Sequence, residues 1–383
     1  MSRAPFSFYE FFAGGGMARL GLGDPWACAF ANDFDPAKAA TYRANFADAA
    51  DHFHAGDVWR LSAGDLPEVA DLAWASSPCQ DFSLAGARAG LAGGRSSAFF
   101  GFWRLIEGLA AEGRGPRAIV IENVSGLLTS HGGRDFAARG EALAAQGYSF
   151  GALEIDAAAF LPQSRPRVFV IATRASPPPA LMGASPFHSR AVKAAARALP
   201  SALQDRWIWW RAAAPAPRNT DLAALLEPDG AVAWHSPERT ARWLDLMAPL
   251  HRARLEAFRG RDARAVGAIY RRMRVEDGQR VQRAEVRFDG LAGCLRTPRG
   301  GSSRQVIVVV QDGQVRTRLL TAREAARLMG LPESYRLPGA ATAALHVAGD
   351  GVAVPVVRWL AEQLLEPLLS GAAPILRAAA GRR

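Results

Sequence analysis

The stretch "FSFYEFFAGGGMARLGL", residues 6–22, decides the fold class. Phe6–Phe12 is an apolar, aromatic run that reads as a strand, Ala13–Gly16 is a turn of small residues, and Met17–Leu22 begins a helix. A strand, a glycine turn and a helix in that order open a doubly wound, mostly parallel α/β sheet. In such sheets ligands bind beyond the carboxyl ends of the strands, at the following helix N-terminus. Gly14, Gly15 and Gly16 let the backbone come close to a ligand there. The dinucleotide pattern GxGxxG would need glycine at position 19, where the chain has Arg19. A pyrophosphate, and with it a nicotinamide oxidoreductase, is disfavoured.

The alternation continues outward from this unit. "WACAFAND" (26–33), "DHFHAGDV" (51–58), "ADLAWASS" (70–77) and "RAIVIENV" (117–124) read as further strands ending in polar residues, and "SSAFFGFWRLIEGLAAEG" has helical apolar spacing. "SFGALEIDA" (149–157) and "RVFVIAT" (167–173) stand close enough to form a hairpin, so one edge strand is expected to be antiparallel. The polar strand ends should converge. Asp33 is placed to accept hydrogen bonds from a ribose and Asp57 from an exocyclic amino group, which points to an adenosine-bearing cofactor. Cys79, in the polar turn "SSPCQDFS" (76–83), ends the fourth strand. A lone cysteine is more often a buried packing residue, but this one lies off the apolar face. Glu122 ends the adjacent strand, and a carboxyl beside a thiol is a nucleophile–acid pair. Arg165 and Arg167 of "QSRPR" alternate along an extended segment, so both can reach a phosphate or a base oxygen. The small-residue stretch "SLAGARAGLAGGRSS" (83–97) reads as a lid or an ordinary surface loop.

The pattern stops at "ASPPPALMGASP" (175–186), a proline-rich linker signal. From there to about 290 the chain reads as irregular and rich in Arg, Trp and Pro. Within it, "SPERTARWLDLMAPLHRARLEAF" (236–258) is one helix or two, capped by Ser236 with Pro237 in the first turn. Trp207, Trp209 and Trp210 read as core. Regular structure returns with a strand at "RQVIVVV" (304–310) and a helix at "TAREAARLMGLP" (321–332), with a Thr321 cap, Glu324 in capping-box position and a Gly330 stop. "VPVVRWLAEQLLEPLL" (354–369) reads as an amphipathic helix.

Of 383 residues, 46 are Lys or Arg and 36 Asp or Glu, a formal charge of +10, which favours a polyanionic partner. Arginine-for-lysine drift accounts for the two lysines but not for the excess of basic residues. Three cysteines are too few and too odd in number for a disulfide framework, so a reducing compartment is expected. No run reaches the roughly 20 apolar residues of a membrane span, and no secretory leader is legible. The reading is a soluble cytoplasmic protein.

Together these stretches resemble, in order and over nearly the whole chain, the bacterial-type cytosine-5 DNA methyltransferases. "FFAGGGMARLGL" is similar to the first motif of that family, "SSPCQDFS" to its Pro-Cys-Gln motif, "IENV" to Glu-Asn-Val and "QSRPRVFVIA" to Gln-x-Arg-x-Arg. "RLLTAREAARLMGLPESY" (318–335) is similar to the ninth motif and "GDGVAVPVV" (349–357) to the tenth. The resemblance implies S-adenosyl-L-methionine as cofactor and a Rossmann-like catalytic domain at 1–175. A target-recognition domain follows at 176–317, and 318–383 returns to the catalytic domain, with a cleft for duplex DNA between the two. It implies cofactor contacts at Phe12, Ala13, Gly14, Gly16, Asp33, Asp57, Val58, Pro78, Asp350 and Val352. DNA contacts are implied at Gln80, Ser83 and Arg95. Arg271, Arg272 and Arg274 suit phosphates, and Arg299 and Arg304 flank a Gly- and Arg-rich loop suited to base reading. No metal is implied.

The chemistry implied is a Cys79 thiolate adding to C6 of a flipped-out cytosine, which makes C5 nucleophilic. Protonated Glu122 holds N3 and Arg165 holds O2, with Arg167 alongside. One departure stands out: Asp350 occupies a position where the family usually has Asn. Asp350 either faces the positive end of the cofactor or acts as a strut to Arg19 or Arg358, the reading favoured on charge. Expected partners are double-stranded DNA and a cognate restriction endonuclease, with no membrane and a monomeric chain. The same chemistry on tRNA and a catalytically silent DNA-binding regulator are the alternatives.

Overall fold

The computed structural model describes residues 4–67, 69–78, 98–296 and 304–371. The chain divides into two compact units: Met1–Asp156 with Pro166–Ala216 and Gly351–Arg383, and Ala157–Arg165 with Pro217–Asp350.

The first unit is built on seven strands: β1 (Phe6–Phe11), β2 (Trp26–Asp33), β3 (Phe53–Ala55), β4 (Leu72–Ala75), β5 (Ala118–Val124), β6 (Ser149–Asp156) and β7 (Pro166–Thr173). Their order in the sheet is β3-β2-β1-β4-β5-β7-β6. β1 to β5 pair in parallel, while β7 runs antiparallel to both its neighbours. The antiparallel strand expected at an edge is thus the second from the edge: the β6–β7 hairpin folds back so that β7 slots in beside β5. The helices are α1 (Met17–Leu22), α2 (Pro36–Asn45), α3 (Ala49–His52), α4 (Ala98–Ala111), α5 (Arg134–Ala145), α6 (Arg190–Ala198) and α7 (Ser201–Gln204).

The central strands read as continuous apolar runs because both faces are covered. Leu72–Ala75 and Ala118–Ile121 are wholly buried. α4 lays Phe99, Phe102, Trp103, Ile106 and Leu109 against this core, with the Phe102 ring 4.9 Å from that of Phe11. Each such side chain contributes about 1.5–3 kcal/mol by leaving water. α2 starts where Asp35 accepts from the Ala37 and Lys38 amides, with Pro36 at its first position. The third strand shrinks from the expected 51–58 to three residues, since Ala49–His52 closes a helical turn first.

The stretch at 175–186 is not a boundary in the fold. Leu181 is buried, Arg211 N–H donates to its carbonyl, and the buried Trp210 indole donates to Ile171 O at 3.0 Å on β7. This burial and these hydrogen bonds hold 176–216 in the first unit. Trp210 is core as read, whereas Trp209 is partly exposed.

The second unit holds α8 (Pro237–Asp245), α9 (Pro249–Arg259), β8 (Ala265–Glu276), β9 (Gln279–Arg287), β10 (Val306–Gln311), β11 (Gln314–Leu319), α10 (Ala322–Leu328) and α11 (Ala341–Asp350). Its four strands form an antiparallel sheet in the order β11-β10-β8-β9. The β8–β9 hairpin corrects the irregular reading of the region up to about 290, while β10 falls on the strand expected at 304–310; the two hairpins turn at Asp277-Gly278 and Asp312-Gly313, with φ of 49° and 77°, 50° and 69°. Positive φ at both turn residues is the geometry whose twist matches a right-handed hairpin, and Asp-Gly adopts it readily. Trp243, Met247 and Leu255 of the α8–α9 segment cover one face, against Ile269, Val286, Val306, Val308 and Val310. The Ser236 cap and the Thr321–Glu324 capping box form as read. Arg318 and Glu324, both buried, pair through two bonds of 2.6 and 2.8 Å. Burial alone would raise the Glu324 pKa, but the Arg318 bond and two backbone amides hold it below the usual carboxylate value.

The chain then returns to the first unit through α12 (Val354–Leu360), a π-helical turn at Ala361–Leu365, and α13 (Glu366–Ser370). The widened turn sits just before Pro367, whose ring crowds the carbonyl four residues back. Among the described residues no helix is long and apolar enough to cross a membrane, and no group of His, Cys, Asp and Glu could hold a metal ion.

Candidate active site

In the first unit the carboxyl ends of β1, β2, β3, β4 and β5 lie along one edge of the sheet, joined there by the start of the antiparallel β7. The register fixes this: Phe11 pairs Ala75, Ala75 pairs Ile121, Asp33 pairs Ala55 and Val124 pairs Arg167.

At the end of β1, Phe12 has φ of +57°, a strained value for a bulky residue, and Gly14 follows at the same value. A Cβ on Gly14 would meet nothing within 4 Å, so the turn borders open space. Ala13 is buried and its N–H donates to Asn32 O at 2.9 Å. Gly16 sits tightly instead, since a Cβ there would lie 2.2 Å from the Phe46 ring. Asp33 holds the turn: its Oδ2 accepts from Gly14 N at 2.8 Å and its Oδ1 from Asp35 N at 2.9 Å. Burial raises its pKa against the opposing pull of Lys38 and these bonds. Asn32, buried beside it, donates to His54 O and Gly56 O at 2.9 and 3.0 Å and ties the ends of β2 and β3 together. Asp57 caps the next turn by accepting from Trp59 N at 3.0 Å, and Val58 is buried.

The sequence reading missed Phe34. It is 69% exposed, directly after Asp33. A large aromatic left in water at a sheet edge lined with polar groups is a stacking platform. The signal was legible in "NDFDP" (32–36), where one aromatic stands between two acids.

Beneath the turn, Glu10 of β1 is buried. Its Oε1 accepts from Arg19 N at 3.4 Å, and its Oε2 has no hydrogen-bond partner among the described residues. Burial raises its pKa to about 8, against the lowering effect of Arg19 and with a further rise from Asp33.

Further along the edge, Glu122 is buried and its Oε1 meets Arg167 Nε at 3.1 Å. Asn123 donates from Nδ2 to Ser77 O at 3.1 Å and to Ser77 Oγ at 3.2 Å, and its own Oδ1 accepts from Val124 N at 2.8 Å. The Glu-Asn-Val strand end thereby fixes the backbone directly before Pro78, which is exposed. Cys79, Gln80, Ser83 and Arg95 follow and lie outside the described residues, as do the stretch read as a lid and Arg299.

The two arginines of "QSRPR" part company. Arg167 joins Glu122 in the first unit. Arg165 is 2% exposed in the second, and it donates from Nη1 to Leu295 O and from Nη2 to Gly349 O, each at 2.9 Å. Buried carbonyls engage the Arg165 guanidinium, expected to hold a base oxygen, whereas Arg167 is the cation that meets the Glu122 carboxyl. Gln163 is likewise buried, donating to Leu328 O at 2.6 Å and accepting from Leu295 N at 3.1 Å.

Val352 is buried and Asp350 ends α11. The two arginines read as candidate struts for Asp350 hold other carboxylates: Arg19 meets Asp48 at 2.7 Å, and Arg358 meets Glu362 at 3.0 Å and Glu366. On the ribbon of the second unit, Arg272 and Arg274 both approach Glu285, Arg274 through Nε at 2.6 Å, while Arg271 lies over the Trp243 ring at 4.6 Å. Arg304 donates to Leu320 O at 3.3 Å, and partial burial with Arg239 nearby lowers its pKa.

A glycine turn beside an acid at one strand end and a clamped carboxyl at another, on a 3-2-1-4-5-7-6 sheet with β7 reversed, define a Rossmann-like methyltransferase. The family model of C-5 cytosine-specific DNA methylases matches residues 6–366, and the chain belongs to that family. It is a DNA cytosine-5 methyltransferase. It is 26% identical over 373 residues to the Type II methyltransferase M.BsuFI of Bacillus subtilis, covering 97% of this chain and 75% of that one. It is 27% identical over 363 residues to M.NlaX of Neisseria lactamica, covering 94% and 96%. Among solved structures it is similar in fold to the Dnmt2 methyltransferase of S. pombe, with a TM-score of 0.59 at 18% identity over 95% of this chain and 99% of that one.

Proposed function

We propose that the chain methylates C5 of a cytosine flipped out of a specific duplex DNA sequence, with S-adenosyl-L-methionine as methyl donor and Cys79 as covalent nucleophile. The observation that carries the reading is the sheet edge on which Asn123 secures Ser77, two residues before Cys79, while the next residue back, Glu122, is clamped by Arg167.

The donor fits the residues present. The open space at Gly14, the exposed Phe34 ring and the acids Asp33 and Asp57 suit, in turn, a close backbone approach, stacking on adenine, and hydrogen bonds to hydroxyl and amino groups. Phe12, Ala13, Gly16, Val58, Pro78, Asp350 and Val352 complete the pocket in this reading. When bound, it supplies an electrophilic methyl group on sulfonium.

The remaining steps belong to the chain. A Cys79 thiolate adds to C6 and pushes the C5–C6 electrons toward the ring carbonyl and N3. Glu122, protonated, donates to N3, and Arg167 steadies the charge developing on O2. C5, made nucleophilic in this way, would take the methyl group as its bond to the sulfonium breaks, the sulfur leaving as a neutral thioether. Loss of the C5 proton to a base or water and expulsion of the thiolate restore the ring. Duplex DNA must release the base from its stack before Cys79 can reach it. The formal charge of +10 supports binding to the phosphate backbone. In keeping with relatives named Type II methyltransferases, the chain works in the cytoplasm as a monomer beside a cognate restriction endonuclease.

Cys79→Ser tests the nucleophile. The variant should bind DNA yet lose methylation, because a hydroxyl ionises far less readily than a thiol. Wild-type protein, and not the variant, should form a covalent adduct with DNA carrying 5-fluorocytosine. Substantial turnover by Cys79→Ser overturns the assignment. A parallel assay on tRNA checks the substrate: labelling of tRNA in preference to DNA overturns the duplex-DNA reading.

A further inference from the structure

The four-stranded sheet of the second unit extends much further along one pair of strands than along the rest. β10 pairs β8 over Ala265–Ile269, whereas β8 and β9 stay paired out to Glu276 and Gln279. Residues 270–285 therefore form a two-stranded ribbon that runs beyond the sheet. Seven residues on one strand, at about 3.3 Å each, extend it by roughly 20 Å.

The ribbon has two unlike faces, because opposed residues of an antiparallel pair project to the same side. One face carries Tyr270, Arg272, Arg274 and Glu276 opposite Glu285, Arg283, Val281 and Gln279. Its charges answer one another: Glu285 meets Arg272 and Arg274, and Arg283 Nε donates to Glu276 at 2.8 Å. The other face carries Arg271, Met273 and Val275 opposite Ala284, Gln282 and Arg280. It holds no acid. It also continues the buried face of the unit, since Ile269 and Ala284 belong to the core that Trp243 and Met247 cover. Past Arg271, which lies on the Trp243 ring, Met273 is 48% and Val275 73% exposed.

A two-stranded ribbon fits the major groove, about 12 Å wide. An uncovered apolar stripe with an amide at its centre and cations at both ends matches base edges flanked by phosphates. We infer that this face reads the target sequence in the major groove. Gln282 presents its amide to the donor–acceptor pair of an adenine, Met273 and Val275 meet thymine methyl groups, and Arg271 and Arg280 meet flanking phosphates. The arginines of the opposite face, which the composition offered as DNA contacts, are held by their own acids. The inference rests on the proposal that the substrate is duplex DNA.

A library of randomised DNA sites, methylated by each protein and read by bisulfite sequencing, tests it. Gln282→Ala should relax discrimination at one base position about tenfold or more, and Met273→Ala or Val275→Ser at its neighbours. Gln279→Ala, on the opposite face, should leave the profile as in wild type. If Gln282→Ala and Val275→Ser melt with wild type and keep its site profile, the assignment is overturned. A wild-type dimer that Val275→Glu dissociates also overturns it, because the stripe then belongs to a second copy. Absence of methylation of any DNA by the wild type strikes instead at the function on which the inference rests.

Discussion

Arg165 and Arg167 stand two residues apart and do different things, which their substitutions should separate. Arg165 satisfies buried carbonyls of Leu295 and Gly349. Arg165→Ala removes a charged donor from both carbonyls, and a buried acceptor losing its partner costs about 1–3 kcal/mol, so the loss should be read in melting temperature before turnover. Arg167→Ala removes a donor beside Glu122, and single-turnover methylation should fall about 10²-fold or more while the protein stays folded. A variant of Arg167 that turns over normally removes it from the chemistry. Glu10 gives a second prediction. Its pKa is raised from 4.5 to about 8, chiefly by burial, so the folded protein tolerates it neutral and is penalised when it ionises. That stability is fully present below pH 4.5 and is lost as pH rises toward 8. Glu10→Gln should therefore melt with wild type near pH 4.5 and several degrees above it at pH 8.5, the gain being on the order of 1–3 kcal/mol. Equal melting temperatures at pH 8.5 overturn the assignment. Glu122, Asp33 and the glycines were legible as strand-end residues because strand ends in an α/β sheet converge. It did not separate Arg165 from Arg167, since alternation along one strand says nothing about which carbonyls lie within reach.

At the scale of elements, the first unit was largely legible, and the second only in part: α8, α9, β10 and α10 were read and β8, β9 and β11 were not. Strands buried on both faces, such as β4 and β5, appear as short apolar runs between turn residues, and β2 falls on the 26–33 expected. The β8–β9 hairpin was hidden by its arginines, which mask period-2 alternation on an exposed ribbon, whereas the buried β10 was legible as an apolar run. Yet "EDGQ" (276–279) and "QDGQ" (311–314) carry the Asp-Gly signature of a tight hairpin turn. The α1 start offers a test of how rigidly an element is held. Gly16 precedes it with φ of 79°, and a Cβ would strike the Phe46 ring. Gly16→Ala should therefore destabilise the first unit by about 1–3 kcal/mol through both strain and overlap. Gly14→Ala, where a Cβ meets only open space, bears the conformational part of that cost without the overlap. Its larger effect should be weakened binding of S-adenosyl-L-methionine, read by calorimetric titration. If both variants lose stability and affinity in parallel, the division between a packing glycine and a ligand-facing one fails.

For the whole molecule, the question is where one chain can be cut and exchanged. The family resemblance implies a recognition segment at 176–317, but Leu181 and Trp210 anchor 176–216 in the first unit, and the second unit spans Pro217–Asp350 with Ala157–Arg165. Exchange of 217–350 for the matching segment of a Type II relative carries the sheet, the α8–α9 cover and the β8–β9 ribbon together. It leaves Glu122, Arg167 and the glycine turn untouched. Such a chimera should methylate at the relative's sequence with kcat within about tenfold of the parent, provided Gln163 and Arg165 are exchanged with it, since both bond to carbonyls inside that unit. A chimera cut at 176–317 removes the Trp210 indole from Ile171 O and splits β11 between Thr317 and Arg318. It should melt well below the first, because losing the buried Trp210 side chain costs about 3–5 kcal/mol and β11 no longer comes from one parent. Methylation profiles and melting curves of the two chimeras decide the boundary. Equal stability of both places it by sequence composition alone, and a folded, active 217–350 chimera that keeps its old target would show that recognition lies outside this unit.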